Sequence, residues 1–288
     1  MIIINIILCF FSITFTQVFS EYSYVGNQSG MVGSVMSKPH SDSGIFYNPA
    51  SLAGYNGRLV TIGKSNLFNQ SYLPLVHFGL IYKLPLIGQF GLSYQSFSTK
   101  NSSIVLSSES ALAISKAIYL QKDRNSSLAI GYRLNLLHWE QSRTAGASGN
   151  GIDGFGAQDN SAFGFDFGVL GGLRNKYWVG AYLKNINSPS INSQNLPRKI
   201  CISIGYKPID NMYSNLSIER LLGKNSRQIK LGFEYNLDSK ITVFSGVQSN
   251  PNRLGVGLEY KIGNIEIGYS LLTHHVMSET HHFGIKIK

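Results

Sequence analysis

Apolar and polar residues alternate with a period of two along most of the chain. In Arg227–Asn236 the apolar positions are Ile229, Leu231, Phe233 and Tyr235, and the positions between them are polar or glycine. Because successive side chains of a β-strand point to opposite faces, such a segment has one apolar face and one polar or empty face. The pattern predicts an all-β chain.

About fourteen segments show this alternation, and turn-forming residues separate them. Most are close to the length of about 9–11 residues with which a tilted strand crosses a bilayer. The predicted strands are Arg58–Phe68, Leu75–Leu84, Gln89–Ser98, Ile104–Leu120, Ser127–Glu140, Ser161–Leu173, Tyr177–Asn187, Arg198–Lys207, Met212–Leu221, Arg227–Asn236, Lys240–Gln248, Arg253–Ile262, Asn264–Leu271 and Phe283–Lys288.

Two connections are longer than the others, Ser142–Asn160 and Ser188–Pro197. Outer-membrane barrels combine short periplasmic turns with longer external loops. These two stretches are therefore our candidates for the external face, and we expect a partner protein to contact the first of them.

The composition favours a membrane barrel over a soluble β-protein. Charged residues make up 14% of the chain, while it contains 30 glycines, 16 phenylalanines and 16 tyrosines. The non-apolar face is rich in glycine and serine, and tyrosine often ends an apolar stripe, as in an aromatic girdle at the lipid interface. These tyrosines are Tyr82, Tyr132, Tyr206, Tyr235 and Tyr260. A secreted soluble β-sandwich that binds a ligand is the weaker alternative.

Residues 1–20 have the features of a cleaved export signal. They carry no charged side chain, and Val18 and Ser20 are small enough for the −3 and −1 positions of a signal-peptidase site. Glu21 would begin the mature chain. The alternative is an N-terminal membrane anchor, which needs about 20 apolar residues, whereas this apolar run is shorter and interrupted by polar residues.

Cysteine and charge exclude two classes of protein. Cys9 leaves with the signal peptide, so Cys201 has no partner for an intramolecular disulfide. The formal charge of +10 is spread along the chain rather than clustered, and export removes access to nucleic acid. We expect no nucleic-acid partner.

The segment Gly30–Ala53 reads GMVGSVMSKPHSDSGIFYNPASLA and contains the triplet Asn48, Pro49 and Ala50. It resembles the amino-terminal segment of FadL-like outer-membrane barrels, particularly the group that includes PorV and PorQ. The last strands, SNPNRLGVGLEYKIGNIEIGYSLLTHH and ETHHFGIKIK, are also similar to that family. Lys288 at the end departs from the aromatic residue often found there.

The resemblance implies a closed antiparallel transmembrane β-barrel of about 14 strands with an N-terminal segment folded into the lumen. It divides the chain into a signal peptide (1–20), a plug-like segment (21–57) and an outer-membrane barrel (58–288). Asn48, Pro49 and Ala50 form the plug motif. From its residue type, Asn48 can cap a short helix over Ala50–Ala53 or hold a turn.

The sequence contains no catalytic constellation, and we expect no enzyme activity, cofactor or metal. His274-His275 and His281-His282 suggest a metal site, but adjacent strand residues point to opposite faces, so only one histidine of each pair could join it. Gly57–Ser65 has the wrong spacing for a phosphate-binding loop, and no G-x-S-x-G motif occurs.

Two functions fit a barrel that is exported to the cell outer membrane and surrounded by its lipid. The first is passage of small or hydrophobic compounds, controlled by the plug-like segment. The second is a non-conducting scaffold that binds proteins of a secretion or surface-attachment system, as the resemblance to PorV and PorQ implies.

Overall fold

The computed structural model describes residues 19, 26–85, 88–101, 104–146, 148–150, 152–223 and 227–288. The predicted signal peptide, apart from Phe19, and the predicted cleavage site after Ser20 lie outside these residues. None of the helices in the described ranges has the length and apolar character that a membrane-spanning helix needs.

Fourteen antiparallel strands form one closed barrel, which confirms the predicted fold class and strand number. Each barrel strand pairs with the next barrel strand along the chain, and the first strand closes the barrel against the last. The barrel strands are β1 (Leu59–Asn66), β2 (Pro74–Leu84), β3 (Gly88–Asn101), β4 (Ile104–Lys122), β5 (Ser126–Gln141), β6 (Gln158–Leu173), β7 (Tyr177–Lys184), β10 (Lys199–Tyr206), β11 (Met212–Leu221), β12 (Arg227–Asn236), β13 (Ile241–Gln248), β14 (Arg253–Ile262), β15 (Ile265–Leu272) and β16 (Thr280–Ile287).

Short elements complete the chain. Strands β8 (Ser190–Ile191) and β9 (Gln194–Asn195) form a separate hairpin between β7 and β10. Four 3-10 helices occupy Gly26–Met31, Asp42–Ile45, Pro49–Leu52 and Leu67–Asn69. The first three belong to the part of the chain that precedes the barrel.

The apolar faces of the strands point outward. On β10, Ile202 and Ile204 are 53% and 56% exposed, whereas Ser203 between them is 1% exposed. The same alternation recurs on the other strands, so exposed apolar side chains surround the barrel. Monomeric soluble proteins rarely expose apolar patches larger than a few hundred Å². The alternative of a soluble β-sandwich is wrong in its fold, because one closed sheet replaces two packed ones.

The two long connections lie at the same rim of the barrel. Strands β5 and β7 both run toward this rim, and β6 and β10 run away from it, whereas the short turns after β2, β4 and β6 and the end of β16 lie at the opposite rim. The first loop extends away from the barrel, whereas the second folds over the lumen. Ile152 and Phe155 of the first are 84% and 72% exposed, but Ile191 of the second is buried over the lumen.

Candidate functional site: the lumen and its inner segment

The residues that precede β1 pack against inward-facing positions of the barrel. We refer to residues 26–57 as the inner segment. Its first 3-10 helix contacts β12 to β16, and its third contacts β3 to β6, so the segment reaches both sides of the lumen. Its apolar residues Met31, Val35 and Ile45 are fully buried. Burial of apolar side chains therefore helps to hold the inner segment against the wall.

The predicted plug motif lies where the inner segment meets β6. The Asn48 amide donates from Nδ2 to the carbonyl oxygens of Met36 (2.8 Å) and Val169 (3.1 Å), and its Oδ1 accepts from the Ala50 N–H (3.1 Å). Asn48 thus caps the 3-10 helix Pro49–Leu52, with proline at its first position. Asn48 and Ala50 have no exposed surface. The role of this motif in a plug stays a prediction.

Glycines in the wall make room for the motif. Gly131 on β5 and Gly168 on β6 are direct cross-strand partners. A methyl group on Gly168 would overlap Oδ1 of Asn48, and one on Gly131 would overlap the backbone between Pro49 and Ala50. The backbone of the inner segment can approach the wall here only because both strands lack a side chain.

The opposite wall repeats this arrangement. Gly232 on β12 pairs with Gly246 on β13, which pairs with Gly255 on β14. A methyl group on Gly246 would overlap the backbone of Met31, and one on Gly255 would crowd the carbonyl of Gly30. The glycine-rich face seen in the sequence is thus, in large part, the contact surface of the inner segment.

Arg133 joins the wall to the inner segment through three hydrogen bonds. It lies on the inward face of β5 with 4% of its surface exposed. Its guanidinium donates to the carbonyl oxygens of Gly44 (2.8 Å), Tyr47 (2.9 Å) and Phe46 (3.1 Å). Asp166 of β6 lies 3.7 Å from the same group. The fork of five N–H donors lets one arginine hold three carbonyl groups in position.

Sequence reasoning did not find Arg133. Its only local signal is a cation in the middle of an alternating strand, in the run Tyr132-Arg133-Leu134. A charge at an inward position of a buried strand needs a partner, since an unpaired buried charge is costly. That argument predicts a partner but not its identity.

Ion pairs hold the inner segment at the rim with short turns. Lys38 Nζ lies 2.5 Å from Glu234 Oε2, and Lys286 Nζ lies 2.9 Å from Asp42 Oδ2 and 2.8 Å from Glu259 Oε2. They border a polar chamber of about 410 Å³. The chamber is lined by lysines and carboxylates from both the inner segment and the wall.

The pKa values of the two segment residues follow from this pairing. Burial opposes the charge of Asp42, but Lys286 and Lys38 outweigh it and hold the pKa of Asp42 well below its usual range. Burial likewise lowers the pKa of Lys38, and Glu234 and Asp42 more than offset it, so the pKa of Lys38 lies above its usual value. Both groups are charged at neutral pH.

The hairpin loop closes the other end of the lumen. Ile191 and Leu196 pack into an apolar cluster with inward residues of the wall, including Leu75, Phe97 and Leu137. The loop begins where Asn185 takes a positive φ of 56° and its side-chain amide donates to the Pro197 carbonyl. This turn ends β7 at Lys184, earlier than the predicted strand end at Asn187.

The histidines lie at separate places. His282 is buried in the lumen, whereas His281 faces outward on the same strand and its Nδ1 lies 2.6 Å from the Tyr269 hydroxyl. In the β15–β16 loop the ring centroids of His274 and His275 lie 4.4 Å apart, with the ring planes tilted by 39°. Within the described ranges no three histidine, cysteine, aspartate or glutamate side chains form a group that could hold a metal.

A protein-family model matches the chain. Residues 81–257, which are more than half of the chain, match the family described as "F plasmid transfer operon, TraF, protein". No curated protein sequence matches the chain.

Solved structures named as toluene transporters and monoaromatic hydrocarbon channels have the same fold. The CymD monoaromatic hydrocarbon channel has a TM-score of 0.64 and 13% identity, with 93% of this chain and 98% of that chain covered. The Pseudomonas putida toluene transporter TodX has a TM-score of 0.61 and 12% identity over 94% and 98%. The Ralstonia pickettii toluene transporter TbuX has a TM-score of 0.60 and 12% identity over 91% and 96%. This structural similarity confirms the FadL-like barrel fold. Because the sequence identities are this low, the similarity concerns the fold and not the function.

Proposed function

We propose that this chain, which belongs to the family described as F plasmid transfer operon TraF protein, is an outer-membrane channel for small compounds, including hydrophobic ones. In this proposal the inner segment is a plug that undocks to open the lumen. The observation that carries it is that this segment is bound by side chains and ion pairs and contributes no strand to the sheet.

Membrane placement is supported by the outward apolar faces and the closed sheet. Without water in the bilayer core, backbone polar groups must be paired internally, and a closed barrel has no unpaired edge. This barrel type also supports placement in the outer membrane, and residues 1–20 have the features of an export signal. Unboiled protein should run faster than boiled protein on a detergent gel and should fractionate with the outer membrane. A soluble protein without this shift would contradict the proposal.

Hydrophobic solutes are supported by two features. The solved channels with the same fold are named as toluene transporters and monoaromatic hydrocarbon channels. The mouth of the lumen carries the apolar cluster of Leu75, Phe97 and Leu137 beneath the hairpin loop. Liposomes containing the protein should take up a monoaromatic hydrocarbon faster than empty liposomes. Equal rates for wild type and for a variant lacking residues 21–57 would argue against a plug.

The second candidate function is a scaffold of the PorV and PorQ type. It is favoured by the exposed apolar side chains Ile152 and Phe155 on the long β5–β6 loop, which offer a contact for a secretion-system or surface protein. If the barrel is a scaffold, Ile152→Ser with Phe155→Ser should release co-purified partners, and liposomes should show no uptake. If it is a channel, the same double variant should leave uptake unchanged.

A further inference from the structure

A hollow of about 560 Å³ opens on the outer face of the wall, across the seam where β1 meets β16. The backbone of Gly63, Gly268 and Gly284 forms its floor, and these glycines are cross-strand neighbours on β1, β15 and β16. Outward-facing apolar side chains surround the floor. They include Ile62, Val76, Phe78, Tyr94, Phe283 and Ile285.

One basic residue borders this apolar hollow. Lys64 faces outward on β1 and is exposed, directly opposite Val76 on β2 and Phe283 on β16. No residue in the described ranges forms an ion pair with its ammonium group. It lies two residues before the end of β1, close to the rim with the long loops.

An exposed, unpaired lysine at this depth suits a headgroup region rather than the bilayer centre. A lysine near the end of a membrane-spanning strand can lay its aliphatic stem along apolar surface and extend its ammonium to the headgroups. There, basic groups attract anionic lipids electrostatically. The apolar hollow below Lys64 is open to the bilayer, and its volume is within the range of about 300–1,000 Å³ typical of small-molecule sites.

We propose that this hollow binds a membrane lipid with an anionic phosphate headgroup, its acyl chain in the hollow and its phosphate on Lys64. The apolar rim and the lysine correspond to the two parts of such a lipid. This inference rests on the proposed membrane placement and is independent of what passes through the lumen.

The test measures lipid bound to delipidated protein by native mass spectrometry. Phosphatidylglycerol and phosphatidylcholine with the same acyl chains are added at equal concentration. Wild type should bind phosphatidylglycerol about fivefold more, the factor expected for one basic group near an anionic headgroup. Lys64→Gln should remove this preference. Lys176→Gln, which neutralises an exposed turn lysine at the opposite rim, should retain it.

A second variant tests the hollow itself. Val76→Trp fills part of the hollow and should reduce binding of both lipids, while Leu216→Trp on the outward face of β11 should reduce neither. Equal binding of both lipids by wild type, or a preference that survives Lys64→Gln, would overturn the lipid site alone if the gel shift of the folded barrel is intact. Loss of the gel shift in wild type would overturn the membrane placement and the lipid site together.

Discussion

Replacing Arg133 by glutamine should undock the inner segment without opening the barrel. The change removes the guanidinium that donates to the carbonyl oxygens of Gly44, Phe46 and Tyr47, and it leaves Asp166 without its cation. A hydrogen bond to a charged group contributes about 1.5–3 kcal/mol. Because the three bonds share one side chain and do not add fully, we expect a loss of about 3–4 kcal/mol in docking free energy.

A loss of this size shifts the docking equilibrium by a factor of about 10²–10³. Ser43 can report the shift, since it is fully buried beside Gly44 and its hydroxyl forms no hydrogen bond. In a Ser43→Cys, Cys201→Ser background, a water-soluble maleimide should label position 43 about 10²–10³ times faster after Arg133→Gln.

Two matched variants sharpen this result. Arg174→Gln removes an arginine that is exposed in the β6–β7 turn, and it should leave the labelling rate within about twofold. Arg133→Lys keeps the charge but not the planar fork, so its labelling rate should fall between wild type and Arg133→Gln. If Arg133→Gln labels at the parent rate, Arg133 does not hold the segment and the reasoning fails.

Three further predictions concern the segment and the loop above it. Gly168→Ala should speed maleimide labelling of position 43, because the added methyl group overlaps Asn48 of the plug motif. In Gly171→Ala, on the same strand, the methyl group meets no atom closer than 3.9 Å, so the labelling rate should not change. Ile191→Ala should cost the hairpin loop about 2 kcal/mol and speed hydrogen exchange of its amides, and Ile152→Ala should not. Since the pKa of docked Asp42 is lowered, its contribution to docking is complete above the undocked pKa of about 3.9 and is lost as the pH falls below it. Conductance in planar bilayers should therefore stay constant from about pH 6 to pH 4 and rise as the pH is lowered further, and Asp42→Asn should remove that rise.

The strands could be predicted from sequence because their signal is local. Alternation fixes which side chains share a face, and this is enough for segments such as Met212–Leu221, whose predicted and observed bounds coincide. The closed topology could be expected only from the resemblance to FadL-like barrels, since consecutive strands joined by short turns also form open sheets. Alternation alone does not predict that the apolar face points outward, because a β-sandwich shows the same alternation, so this prediction also required the composition of the chain.

The contacts of the inner segment could not be predicted in this way. Arg133 and Gly44 are 89 residues apart in the chain, and their contact depends on how the segment folds across the lumen. The glycine positions were visible as a composition, but only the structure shows that Gly168 faces Asn48. The hairpin loop contains few apolar residues, so nothing in Ser188–Pro197 indicated that it bends inward.

Whether the inner segment must leave the wall for passage is the claim on which the account depends. Ser34 Oγ of the segment lies 2.9 Å from Ser217 Oγ of β11, so Ser34→Cys with Ser217→Cys can be joined by a disulfide. The measurement is conductance of this double variant in a Cys201→Ser background, before and after reduction. The account predicts a closed oxidised channel that opens on reduction. Equal conductance in both states would show that solutes pass without undocking, or not at all, and would contradict it.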